Sequence, residues 1–124
     1  STGELSTSKR YVQDALAIDD AVGRAYIKLA ASYGQAVSSC TESRKLEARD
    51  KVVYWVVVDY LTRAKSVDAS VTNTVNSQLA TYEAVTPSTE DKFFTLAYEQ
   101  GQRVQVNSSL DSCYSWINES TVVR

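Results

Sequence analysis

The chain is 124 residues long, enough for one compact domain, with 44% hydrophobic and 23% charged residues. Thirteen Lys and Arg against 15 Asp and Glu give a net charge of −2, without the basic excess of a nucleic-acid-binding protein; the longest apolar run, the seven residues from Val52 to Val58, is too short to span a membrane. Histidine is absent, which excludes His-dependent triads, His metal sites and imidazole proton relays; methionine is absent too, and with its Ser-Thr-Gly start the chain reads as a processed piece of a longer product.

Four segments carry helical periodicity. From Leu5 to Ile18, apolar Tyr11, Val12, Ala15, Leu16 and Ile18 recur close to every 3.6 residues. Asp19-Asp20 breaks that pattern and suits the start of a second helix, where the helix dipole favours negative charge. This second helix is predicted over Ala21 to Val37, with Val22, Ala25, Tyr26, Leu29, Ala30 and Tyr33 on one face. After a polar connection comes a third helix, 44–67, whose first turns carry charges of both signs, the mark of a solvated face. Its second half, Val52 to Leu61, is β-branched and aromatic, so propensity alone allows a buried strand as the alternative. The helical spacing of Tyr54, Val57, Val58, Leu61 and Ala64 favours helix.

Ser70 is the expected cap of a fourth helix, 71–85, which carries Val75, Leu79 and Tyr82 on one side and ends before Pro87. Ser88-Thr89-Glu90-Asp91 has the form of a capping box for a short fifth helix, 89–100, with Phe93, Phe94, Leu96 and Ala97, stopped at Gly101. From Gln102 onward polar and apolar residues alternate, so the tail 102–124 reads as a two-stranded hairpin with a long loop, anchored by Trp116 and Ile117. The fold class is mainly α, as one domain with a small C-terminal β-hairpin.

Cys40 and Cys113 are the only thiols, 73 positions apart. They supply neither a four-ligand zinc site nor a Cys-x-x-Cys redox pair. Their even number and hydrophilic neighbours favour a disulfide, and with it an oxidising compartment; two buried, reduced cysteines in a cytosolic protein are the alternative.

An internal comparison says most about organisation. Ala15-Leu16-Ala17-Ile18-Asp19 and Ala64-Lys65-Ser66-Val67-Asp68 share the pattern Ala-x-x-aliphatic-Asp. Each closes one helix just before another begins, and Tyr33 and Tyr82 come at the same offset of 18 residues. From about Ser8 to Val85 this resembles the tetratricopeptide repeat, with Tyr26, Leu29, Ala30 and Tyr33 at the signature positions of the fuller copy. The turn proline of that repeat is replaced by Asp20 and Ala69, and the copies lie 49 rather than 34 residues apart, which implies an insertion over 38–51. The succession Val53-Tyr54-Trp55, Ala64 to Asp68, Phe93-Phe94 and Trp116 to Arg124 is similar to the C-terminal portion of secreted tetratricopeptide-repeat proteins of Bacteroidetes-type bacteria, except that 107–115 is longer and contains Cys113.

The resemblance implies stacked helical hairpins, an extracytoplasmic setting (periplasm or cell envelope) and a protein or peptide partner. Its groove would be lined by Arg24, Ile27, Ala31 and Gln35 of the fuller copy and by Asn73 and Asn76 of the degenerate one, whose guanidinium and amide groups suit peptide backbone or a carboxylate. No catalytic constellation, metal set or cofactor motif stands out: Asp19-Asp20 and Glu90-Asp91 suit helix starts, and Asp59 is expected to pair with Arg63 one turn on. The expected role is therefore a non-catalytic interaction or scaffold module. The alternative is an accessory glycan-binding protein using an aromatic platform of Tyr54, Trp55, Tyr60, Tyr82 and Trp116.

Overall fold

The computed structural model describes residues 2–124. Four helices succeed one another: α1 (Thr2–Ile18), α2 (Gly23–Cys40), α3 (Ala48–Val67) and α4 (Thr72–Glu83), the last entered through a 3-10 turn at Ala69–Val71. Consecutive helices pack on one another, α2 most extensively on α3. Two antiparallel strands, β1 (Arg103–Val106) and β2 (Glu119–Val122), pair from Arg103↔Val122 to Val106↔Glu119 and close the chain. The protein is mainly helical with a small C-terminal hairpin, as its patterning predicts.

The centre of the fold is α3. Val52, Val53, Trp55, Val56, Val57, Val58, Leu61 and Ala64 are all buried, which leaves almost no solvent-facing side in its middle turns. A helix that is apolar all round belongs in an interior. Here α2, α4 and β2 all pack against it, so the β-branched run is wound as a helix and the strand alternative falls away. The helix starts at Ala48 rather than at residue 44, because Glu47 and Asp50 form a reciprocal capping box there.

The two Ala-x-x-aliphatic-Asp segments share a pair of hydrogen bonds, although Asp19 is followed by a turn and an extended Val22 and Asp68 directly by a 3-10 turn. The Asp19 N–H donates to Ala15 O (3.1 Å) and its Oδ1 accepts from the Ala21 N–H (3.0 Å). The Asp68 N–H donates to Ala64 O (3.1 Å) and its Oδ1 accepts from the Ser70 N–H (3.0 Å). Asp68 is thus the cap before α4, and Ser70, the expected cap, is a donor to it. Asp68 Oδ2 also accepts from the Gly23 N–H (3.1 Å), tying the two turns together. The approach is close: a Cβ on Gly23 would stand 2.7 Å from Val71 Cγ2 and 2.8 Å from Asp68 Cβ. Ala64 is buried, whereas Ala15 is exposed.

The predicted fifth helix is corrected. Ser88 and Asp91 do form the capping box (3.0 and 3.1 Å), and the helix it opens is shorter than predicted, running from residue 89 to 95 and π-helical over Asp91–Thr95. The chain then turns away through Ala97 at φ 56. Lys51 of α3 holds Asp91 (3.0 Å) while Leu96 and Tyr98 settle on the core, so the segment is shaped to cover α3 and leaves Phe94 80% exposed. Gly101 does not end a helix. At φ +82 it forms a bulge in the hairpin: its N–H donates to Val123 O (2.9 Å) and the Val123 N–H donates to Gln102 O (2.9 Å).

Cys40, the last residue of α2, is bonded to Cys113, and no free cysteine remains. Closing a loop across 73 positions should stabilise the fold by about 4 kcal/mol in the chain-entropy account. Denaturant titration of the oxidised protein against the Cys40→Ser, Cys113→Ser double variant checks this, the variant being less stable by roughly that amount.

Candidate functional site

Two carboxylates hold the C-terminal segment against the helices. Asp50 is fully buried; its Oδ1 accepts from Tyr114 Oη (2.6 Å) and Arg44 Nη2 (2.7 Å), and its Oδ2 from Arg44 Nη1 (2.8 Å) and the Glu47 N–H (2.8 Å). Burial alone would raise its carboxyl pKa, but the donors from Arg44, Tyr114 and Glu47 outweigh it and hold the pKa below the usual carboxylate value. The second is Glu119, whose Oε2 accepts from Tyr33 Oη of α2 (2.5 Å) and Tyr60 Oη of α3 (2.6 Å). Burial, reinforced by these hydrogen bonds, pushes both tyrosine hydroxyls well above their usual pKa, so they stay protonated donors. Lys9 of α1 donates to the carbonyls of Trp116 and Ile117, and Trp116 packs on Tyr33 (5.7 Å between centroids).

This docking leaves a cleft of about 750 Å³ between β2 and the outward face of α3, reaching Glu83 at the end of α4. Asp59 lies in it but does not pair with Arg63, contrary to expectation: it accepts from Thr121 Oγ1 (2.7 Å) and pairs with Arg124. The hairpin brings better-placed donors over Asp59, and Arg63 instead lies over the rings of Tyr60 (5.4 Å) and Tyr26 (6.0 Å), a favourable seat for a guanidinium. Arg103, on β1, donates to Ser120 Oγ (3.1 Å). Neither Arg63 nor Arg103 makes an ion pair among the described residues.

The predicted groove residues lie on α2 and α4. Arg24 and Gln35 are exposed and Ile27 and Ala31 half-buried along one flank of α2. Asn73 and Asn76 are exposed on α4, but not on the side that meets α2. Tyr82 marks that side, since a Cβ on Gly34 of α2 would stand 2.9 Å from its Oη. At 100° per residue Asn73 lies half a turn round from Tyr82, and Asn76 takes a hydrogen bond from Lys65 of α3 (3.0 Å).

The aromatic residues pack among themselves. Trp55 is 2% exposed, Tyr54 lies against Tyr82 (5.8 Å), and Tyr60 and Trp116 are half-buried against Tyr33. Asp19 and Asp91 act in turns and caps. Among the described residues no group of three or more His, Cys, Asp or Glu is placed to hold a metal, and no helix is long and apolar enough to cross a membrane. The cleft is not apparent from the sequence because its walls are far apart in the chain. The available signal is Glu119 and Thr121, polar residues at both inward positions of a short strand.

Compared with protein families, curated proteins and solved structures, the chain matches none.

Asp50 should set part of the acid stability. Its pKa is lower in the fold than in the unfolded chain, so its contribution is complete above about pH 3.9 and is lost as pH falls through the lower folded value. Urea midpoints measured from neutral to acid pH should show that loss. Asp50→Asn, expected to be about 3 kcal/mol less stable at neutral pH because Arg44 and Tyr114 lose their charged acceptor, should flatten that limb.

Proposed function

We propose that the chain is a non-catalytic protein–protein interaction module of helical-repeat type, related to tetratricopeptide repeats and working in an extracytoplasmic part of the bacterial envelope. The observation that carries this reading is the recurrence of one pair of hydrogen bonds at Asp19 and at Asp68, to Ala15 and Ala64 and to the backbone two residues on. Repeated helical hairpins of this kind bury their apolar faces against neighbours and leave polar flanks for other chains. Two such flanks are available, the Arg24–Gln35 side of α2 and the cleft beside β2. The Cys40–Cys113 bond supports an oxidising setting. A glycan platform finds less support, because the large aromatic side chains proposed for it are turned to the interior or to each other.

A photo-crosslinking residue placed at Thr62 in the cleft, at Gln35 on α2, or at Thr81 as a control tests the reading in the envelope of the producing bacterium. Discrete protein adducts from Thr62 or Gln35 but not from Thr81 are expected, with Arg63→Glu abolishing the first and Arg24→Glu the second. Absence of adducts at both positions would sink it.

A further inference from the structure

The cleft is bordered by an unpaired strand edge. Val123 directs both its N–H and its carbonyl towards β1, to Gln102 O and from the Gly101 N–H. Successive residues of an antiparallel strand alternate in this respect, so Thr121 and Glu119 also face β1, and the N–H and C=O groups of Ser120 and Val122 point away from it. The cleft wall takes Glu119, Ser120, Thr121 and Val122 in unbroken succession. Side chains of a strand alternate between its two faces. A wall that includes four consecutive residues therefore runs along the edge of the strand and not beneath one face. The opposite side is α3, so a segment entering the cleft lies alongside β2 with its backbone within reach of the unpaired groups.

Charge narrows the occupant. Asp59 is satisfied by Thr121 and Arg124, and Glu119 by the hydroxyls of Tyr33 and Tyr60. What the cleft offers a visitor is Arg63, held over Tyr60, together with Arg103, neither in an ion pair among the described residues, against Glu83 at its far end and Glu119, which keeps its charge but is turned to the hydroxyls of Tyr33 and Tyr60. We propose that β2 accepts an extended segment of a partner protein as a third strand, with an acidic side chain of that segment meeting Arg63 and Arg103. This rests on the reading of the chain as an interaction module and names how the partner is held: backbone pairing supplies affinity, and the guanidinium groups supply preference. The shortness of β2 and the wall of α3 keep the edge from pairing indiscriminately.

The test uses the intact, oxidised, isotope-labelled protein and an acetylated, amidated peptide of sequence Thr-Val-Glu-Val-Thr. Saturable shifts of the Ser120 and Val122 amides are expected, with hydrogen exchange slowed about tenfold there. A peptide with lysine in place of glutamate should bind about tenfold more weakly, and one N-methylated at alternate residues not at all. Val122→Pro removes an outward N–H without breaking a bond to β1 and should abolish binding; Gln105→Pro, on the far edge of β1, should keep it. No saturable shift, equal binding of the lysine peptide, or binding retained by folded Val122→Pro would overturn the proposal, as would a dimer that Val122→Pro dissociates. If the Thr62 adduct is lost with Arg63→Glu but kept with Val122→Pro, strand addition fails and the interaction reading survives. If Thr62 and Gln35 give no adduct at all, both fail.

Discussion

The need to surround α3 shapes the rest of the molecule. Valine loses at most about 0.7 kcal/mol against alanine in a helix, while complete burial of its side chain gains about 1.5 kcal/mol or more. Burial therefore decides the conformation of 52–58, but only if other elements supply the cover. Tyr33, Ala36 and Val37 of α2, Val75 and Leu79 of α4, and Val104, Val106, Tyr114 and Ile117 of the C-terminal segment are all buried in the same core. The segment after α4 obeys the same requirement: it gives up regular helix, tolerates a positive φ at Ala97, and lays Leu96 and Tyr98 on the core.

The C-terminal segment is held by its buried apolar side chains, by the Cys40–Cys113 bond and by polar contacts at its boundary with the helices. Asp50 and Glu119 work in opposite directions across the same boundary. Asp50 is a helix carboxylate that receives a hydroxyl from the tail, and Glu119 is a tail carboxylate that receives hydroxyls from two helices. Tyrosine suits both because its ring packs in the core while its hydroxyl reaches a partner at the boundary. The cleft lies beside these ties, where Glu119, Thr121 and Arg124 hold the end of the hairpin to α3.

The helices and the hairpin were legible because their signals are local. Periodicity placed α1 to α4 within a few residues, and Asp-containing turns marked the joints. The signals that misled were also local. Ser88 and Asp91 make a sound cap, yet the path of the chain beyond Asp91 is set by Lys51 and by the surface of α3, which no short window contains. Asp59 and Arg63 sit at ideal helical spacing, yet Thr121 and Arg124, 62 and 65 residues on, claim the carboxylate. The groove positions on α2 can be read from helical phase. On α4 the side turned to α2 is marked by Tyr82 over Gly34, a contact between residues far apart in sequence.

The covalent bond also decides how the molecule would carry a mechanical load. Tension applied to the two ends would travel through α1 and α2, cross from Cys40 to Cys113, and leave by the short tail that contains β2. The intervening loop, with α3, α4 and β1, would be bypassed. Stretching would unravel the first two helices and peel β2 from β1, while α3 and α4 would stay off the line of force inside the closed ring.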